Sequence, residues 1–384
     1  MPEIHAKLSA SASHRWLACT PSVTLEKDFP NKSSVYASEG TLAHELGEIS
    51  LKRNLKQITE AQFKKKLKPI MTNELWTADM PDYVDTYVST CMEKVSEALV
   101  IDKMAEFRVE QRLDFGEWVP DGFGTGDFVI ISDGRVEICD LKYGKGVPVS
   151  AENNSQMMLY ALGAISEFDF IYEIETVKMT IIQPRLDNIS EWEISKEELL
   201  KWAEEIVKPR AEMAMKGEGE LVAGEHCIFC NAKAICKARA EKNLEIAQYE
   251  FRDSKTLSDE EIADVLGRID ELVKWATDVK DYALEEALNQ GVVYPGFKVV
   301  EGRSNRKYTD TEEIANILIA NNYTVERIYK PQELLGLTAM EKVVGKKKLT
   351  ELIGDYIEKP VGKPTLVPET DKRPPYNPAK ADFQ

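Results

Sequence analysis

GTGDFVIISDGRVEICDLKYGKG, residues 124–146, decides the fold. Two apolar, β-branched runs flank Asp133-Gly134, a dipeptide that favours the tight turn of a hairpin. Residues 124–134 read as one strand and 135–144 as its antiparallel return. Asp127 opens the first strand, and Asp140 and Lys142 close the second. The two aspartates stand thirteen residues apart with the turn between them, so pairing returns both to one end of the sheet. Strand side chains alternate, so Asp140 and Lys142 share a face. Two carboxylates and an ammonium therefore converge. Such a trio suits a hard divalent cation: Mg²⁺ favours one or two carboxylates, water and a substrate phosphate. A cation there polarises a phosphodiester and activates a water, while a lysine orients that water or stabilises pentavalent charge. The bland alternative is a surface hairpin with a solvated Asp–Lys pair.

The neighbouring segments favour the first reading. Gly124 and Gly126 let backbone approach a ligand closely. Residues 150–168 read as a helix, on which Gln156 and Tyr160, four apart, share a face. That polar pair interrupts an otherwise apolar surface (Met157, Leu159, Leu162) and is placed to meet phosphate or base. Residues 38–54 read as a helix with Ser38 as N-cap and Leu42, Leu46 and Ile49 on one apolar face. His44 lies in that helix and is a candidate third metal ligand. Residues 81–104 form an amphipathic helix, EFRVEQRLDF (106–115) alternates as a strand, and 178–186 is a further strand. The centre thus reads β-β-β-α-β with flanking helices, an α/β (α+β) fold. A charged helix over 195–216 leads into a cysteine-rich segment.

That segment is EHCIFCNAKAIC, with Cys227, Cys230 and Cys236 spaced C-x2-C-x5-C. A C-x2-C turn directs two thiolates at one centre, and the third cysteine sits where a helix begins. A closed zinc site or a cubane iron–sulfur cluster needs a fourth ligand. Cys19, in RWLACTPS, is the best candidate, and His226 competes. Zinc and an iron–sulfur cluster both suit thiolates, and the spacing matches neither a ferredoxin run nor a paired zinc ribbon. Cys91, in a helix, and Cys139, in an apolar strand, read as core.

Composition bounds the rest. The chain has 384 residues, with 49 basic and 66 acidic side chains and a net charge of −17. That excludes a general basic coat for nucleic acid, though not local patches such as 52–68, with Lys52, Arg53, Lys56, Lys64, Lys65, Lys66 and Lys68 against Glu60. No apolar run approaches the roughly 20 residues of a membrane span. The opening MPEIHAKLSASASHRW lacks an apolar signal region, so a cytosolic protein is expected. At about 100–200 residues per domain, the expected organisation is a core over 1–240, a helical or mixed extension over 241–358 and a disordered, Pro- and Lys-rich tail over 359–384. No G-x-x-x-x-G-K-[ST] phosphate loop occurs.

The ordered set G-x-x-x-H (Gly40 to His44), G-D (Gly126-Asp127), D-L-K (Asp140 to Lys142) and Q-x-x-x-Y (Gln156 to Tyr160) resembles the PD-(D/E)XK nuclease superfamily in its RecB-like branch. The cysteine arrangement is similar to that of the AddB-type and CRISPR-associated iron–sulfur exonucleases. The chain also resembles a group of bacteriophage and prophage proteins. The resemblance implies a restriction-endonuclease-like central mixed sheet flanked by helices. It implies His44, Asp127 and Asp140 as metal ligands for Mg²⁺ or Mn²⁺, with Glu110 as a weaker candidate, and Lys142 as the catalytic lysine. Gln156 and Tyr160 would support the site and contact DNA. Cys19, Cys227, Cys230 and Cys236 would hold a 4Fe–4S cluster, with Zn²⁺ the alternative. The expected activity is a metal-dependent deoxyribonuclease, an exonuclease on ends or single strands, in recombination, replication or repair. Unwinding would come from a separate helicase, alongside a recombinase or single-strand-binding protein. Two other classes compete: a non-catalytic DNA-binding factor that keeps the fold, and a zinc-binding structural protein.

Overall fold

The computed structural model describes residues 6–29, 35–246, 257–301, 310–321, 324–329 and 334–357, with positions 367 and 371. Two short helices, α1 (Ser13–Ala18) and α2 (Ser22–Leu25), precede α3 (Val35–Asn54), α4 (Glu60–Met71) and α5 (Met80–Ile101). Three strands follow: β1 (Glu106–Asp114), β2 (Phe123–Ser132) and β3 (Arg135–Leu141). Then come α6 (Ser155–Tyr172), β4 (Thr176–Gln183) and β5 (Asn188–Ser195). Helix α7 (Lys196–Trp202) continues through a π-helical turn into α8 (Lys208–Lys216), and α9 (Lys237–Leu244) precedes the long α10 (Asp259–Asn289). Four shorter helices end the described chain: α11 (Thr311–Ala320), α12 (Val325–Ile328), α13 (Leu337–Val344) and α14 (Lys346–Ile353).

The sheet order is β1-β2-β3-β4-β5. β1, β2 and β3 form an antiparallel meander, α6 carries the chain across to β4 parallel to β3, and β5 returns antiparallel. Helices flank the sheet on both faces, an α+β architecture with a mixed sheet. The alternation read from sequence divides the core. Val129, Ile131, Val136 and Ile138 pack with Met157 and Leu162 of α6. Phe128, Ile130, Cys139 and Leu141 pack with Leu42 and Leu46 of α3 and Val84 and Val88 of α5. Each such side chain removed from water contributes about 1.5–3 kcal/mol before chain entropy is counted. A slip of one residue in β2 or β3 would exchange the two sets, so register is tightly specified.

Several expectations need correction. Ser38 lies inside α3, which already starts at Val35, so it is not the cap. The helix expected at 150–168 starts at Ser155 and runs to Tyr172, because the Asn154 side chain accepts from the Met157 amide at 3.2 Å and caps it. Lys64 to Lys68 belong to a separate helix, α4, opened by a reciprocal Thr59–Gln62 cap. Strand β5 was not expected; it alternates, but its Glu191 and Glu193 make it read as polar. The charges blunt an edge strand, and ion pairs tie them to Lys178, Lys94 and Arg135.

Position 240 falls within α9, whose Arg239 is buried and ion-paired at 2.7 Å to both Glu271 and Asp278 of α10. The expected tail, 359–384, lies outside the described residues except for positions 367 and 371. Among the described residues no helix is long and apolar enough to cross a membrane.

Candidate metal centre

Register builds the site. Phe128 pairs with Cys139, so Asp127 and Asp140 face each other one step on, as the hairpin arithmetic required. On the other side, Val109 pairs with Phe128 and Gln111 with Gly126, which leaves Glu110 opposite Asp127 without a ladder pairing. Glu110 has φ 55°, a left-handed conformation that a non-glycine residue adopts at a cost of order 1–3 kcal/mol. Three carboxylates therefore stand in a row across β1, β2 and β3. From α3, His44 Nδ1 lies 3.2 Å from Asp127 Oδ2. His44, Glu110 and Asp127 each offer a ligand atom within 4.8 Å of the others, so this group can hold a metal ion.

The lysine side of the site is held by α6. Lys142 Nζ is 2.8 Å from Asp140 Oδ2 and donates to Gln156 Oε1 at 2.9 Å. The Gln156 amide nitrogen donates to the Tyr160 hydroxyl at 3.1 Å and reaches Asp140 Oδ1 at 3.5 Å. Asp140 is 2 % exposed. Its Oδ2 is ion-paired with the Lys142 ammonium at 2.8 Å. A carboxylate oxygen has two lone pairs, so the Lys142 ammonium leaves one available to a second cation. Together with an oxygen-rich donor set and one imidazole, that oxygen fits a hard divalent ion.

The electrostatics reflect crowding. Burial alone would lower the His44 pKa, but the Asp127 charge and hydrogen bond carry it up to about 9. Burial and then the Asp127 charge push the Glu110 carboxyl up to about 7. Burial opposes ionisation of Asp127, yet His44, the Leu141 amide and Lys142 together hold its pKa below the usual range. Asp140 is shifted upward, first by burial and then by the Asp127 charge, against the pull of Lys142. Burial weakens the Lys142 ammonium, but the Asp140 carboxylate more than compensates and its pKa is raised.

The two glycines before Asp127 serve the fold. A Cβ on Gly124 would lie 2.5 Å from the Tyr160 ring, so the close approach there is made by Tyr160 rather than by a ligand. One on Gly126 would meet Leu113 and Val129. Tyr160 is buried, and its hydroxyl accepts from Gln156 and holds that side chain in place. Sequence reading passed over Glu48, one turn beyond His44 on α3, whose charge acts on Glu110. It also passed over Tyr87 of α5, whose buried hydroxyl lies near Cys91 and Asp127.

The second constellation lies elsewhere. Cys19, Cys227, Cys230 and Cys236 line one cavity, together with His226, Arg15, Lys233 and Arg239. None of the six cysteines is in a disulfide. Cys19 caps the end of α1, Cys227 lies within a 3-10 turn (Glu225–Phe229) that Cys230 ends, and Cys236 precedes α9. Burial and the nearby Glu26 push the Cys230 thiol up to about 12. His226 lines the cavity, with its Nε2 engaged at 2.8 Å by the Val222 carbonyl. Among the described residues no three of these thiols come within 4.8 Å of one another. Four thiolates on one zinc at about 2.3 Å would sit within about 4 Å of each other. Cys91 and Cys139 are fully buried in the core, as expected.

A five-stranded mixed sheet with a histidine, three carboxylates and a lysine gathered at one end describes the class of protein. The chain belongs to the family described as "Protein of unknown function (DUF2800)", whose model matches residues 5–374. A solved structure described as "Crystal structure of SSO0001" is similar over 59% of this chain and 96% of that one, at 14% identity and a TM-score of 0.21. A similarity at that level carries no argument.

Proposed function

We propose that this protein is a divalent-metal-dependent deoxyribonuclease of the PD-(D/E)XK type, with a restriction-endonuclease-like core of the RecB-like branch. One observation carries the reading: Glu110, Asp127 and Asp140 form a row of carboxylates, His44 sits against Asp127, and Lys142 bridges Asp140 and Gln156. His44, Glu110, Asp127 and Asp140 would hold Mg²⁺ or Mn²⁺. When bound, such a cation supplies Lewis-acid polarisation of the phosphodiester and lowers the pKa of water. Lys142 does the rest. Its raised pKa keeps it an ammonium at neutral pH, so it donates hydrogen bonds and offsets negative charge on the phosphorus centre rather than removing a proton. Gln156 fixes the ammonium and Tyr160 fixes Gln156.

Cys19, Cys227, Cys230 and Cys236 line one cavity and would hold a 4Fe–4S cluster, with zinc the alternative. The cluster would tie the N-terminal segment to residues 227–236. The biological setting that best accommodates these parts is end processing or single-strand degradation in bacteriophage or prophage recombination, replication or repair, in the bacterial cytosol. A separate helicase, recombinase or single-strand-binding protein would act as partner.

The deciding experiment is cleavage of 5′- and 3′-labelled single strands and duplexes with Mg²⁺ or Mn²⁺. Wild type cleaves, and Asp127→Ala, Asp140→Ala and Lys142→Ala fold but do not. Full activity in all three variants overturns the proposal. Binding without cleavage in Mn²⁺ favours a non-catalytic DNA-binding factor. Colourless, zinc-stoichiometric protein after anaerobic purification overturns the cluster and leaves the nuclease reading standing.

A further inference from the structure

The metal centre does not end at Glu110. On α3, His44, Glu48 and Lys52 follow at intervals of four and share a face. Glu48 and Lys52 both act on the Glu110 carboxyl, which places them beside the centre. Glu48 is paired to Lys52 at 2.6 Å and approached by Lys66 of α4 at 3.8 Å. Helix α4 buries Phe63 and Ile70 and turns Lys64, Lys65, Lys66 and Lys68 outward. The Gln57 side chain donates to the Phe107 carbonyl at 3.0 Å, which fixes the α3–α4 connection to β1. Lysines therefore extend from the rim of the site across α4, with Glu48 and Glu60 the acids among them, in a protein whose net charge is −17.

Not all of these cations are occupied. Lys52 and Lys66 are held by Glu48, and Lys64 reaches Glu60 at 3.9 Å. Lys56, Lys65 and Lys68 are exposed and have no ion-pair partner among the described residues. Lys65 and Lys68, three apart, share a face of α4. Exposed ammonium groups on the helix beside a carboxylate-rich metal site, three of them unpaired, suit one ligand chemistry: a polyanion whose repeating phosphates lie along α4 while one of them reaches the site.

We propose that the end of α3 and the outer face of α4 form the track along which a nucleic-acid strand's phosphate backbone enters the metal centre. This deepens the nuclease reading and rests on it. Contacts of this kind set affinity and register but do not read bases. Their signature is salt dependence, with about 0.7 units of log–log slope per neutralised phosphate on a single strand and about 0.9 on a duplex.

The test uses the full chain in Ca²⁺ and follows anisotropy of a labelled single strand and of a duplex of equal length between 50 and 200 mM NaCl. Removing three contacts with Lys56→Ala, Lys65→Ala and Lys68→Ala together should lower the single-strand slope by roughly 2. The triple variant should then lose roughly 20-fold less affinity than wild type across that range. A triple variant of distant lysines, Lys201→Ala, Lys216→Ala and Lys274→Ala, should keep the wild-type slope. An unchanged slope in the first variant, or an equal drop in the second, overturns the track. Hydrolysis of bis(4-nitrophenyl) phosphate by wild type in Mn²⁺ reports separately on the metal centre. If wild type hydrolyses the ester and the slopes do not separate, the track alone fails. If it neither hydrolyses the ester nor binds either strand, both readings fail.

Discussion

His44 Nδ1 and Asp127 Oδ2 meet at 3.2 Å, joining α3 to β2 at the end of the sheet where the carboxylates gather. The pair sets the proton balance of metal binding. Against the cost of burial, Asp127 raises the His44 pKa to about 9, so below that pH a proton and a cation compete for the same ring nitrogen. Affinity for Mn²⁺ should rise about tenfold per pH unit from 7 to 9 and flatten above, with about one proton released per ion. Below pH 7 the dependence steepens, because the Glu110 carboxyl also takes a proton. Calorimetry in buffers of different ionisation enthalpy counts the protons. In metal-free protein the sign reverses. The raised His44 pKa stabilises the fold below the ordinary histidine value, and that contribution is lost as pH rises through about 9.

Gln156 touches both Lys142 and Tyr160 and acts through them. Gln156→Ala should remove one of the ammonium's two anchors, leaving Asp140, and lower kcat roughly 10–100-fold with little change in KM, since a small misplacement of a reacting group is costly. Gln156→Glu keeps the acceptor for Lys142 but loses the donor to Tyr160 and sets a carboxylate oxygen beside Asp140, so it should not rescue the rate. A KM effect without a kcat effect would count against this role.

Gly124→Ala places a methyl group 2.5 Å from the Tyr160 ring. The ring has no empty space to enter, so the variant should lose about 1–3 kcal/mol in chemical denaturation. Adding Tyr160→Ala should recover part of that loss, with the two effects departing from additivity.

Arg239 is buried, lines the cysteine cavity and pairs with Glu271 and Asp278 of α10. Arg239→Ala leaves the partly exposed Glu271 without this partner and Asp278 with Lys233 alone, and should cost about 1–3 kcal/mol. It should also release α10, seen as faster proteolysis of residues 259–289 while the sheet stays protected from hydrogen exchange.

Replacing Cys19, Cys227, Cys230 or Cys236 singly with Ser should abolish absorbance near 400 nm and lower the thermal midpoint of anaerobically purified protein. Cys91→Ser, in the core, should keep the chromophore and lower stability by burying a hydroxyl. Iron content that survives in the four Ser variants would exclude these ligands.

The residues that could be read from sequence are those governed by local periodicity. Alternation and one Asp-Gly turn place Asp127, Asp140 and Lys142 together, and helical spacing joins Gln156 to Tyr160. Glu110 was legible only through its motif. Its place in the carboxylate row depends on a left-handed backbone at φ 55° that nothing in VEQRLDF signals. Strand β5 was hidden because its alternation carries glutamates, whose partners Lys94 and Lys178 come from distant segments. Glu48 looked like any helix-surface acid until α4 and β1 closed around it. The C-x2-C-x5-C run announces itself, whereas the meeting of Cys19 with it is a tertiary event.

That meeting belongs to a wider seam. Arg15 donates to the Phe229 carbonyl at 2.9 Å across 214 residues, Arg210 reaches the Leu17 carbonyl, and Thr20 donates to the Glu218 carbonyl. On a ribosome moving at about 5–20 residues per second, the first helices therefore wait on the order of 10–40 s for their partners. The α1–α2 segment thus lacks these bonds until residue 229 has cleared the exit tunnel, and a chain stalled before that point should be a substrate for chaperones or proteases.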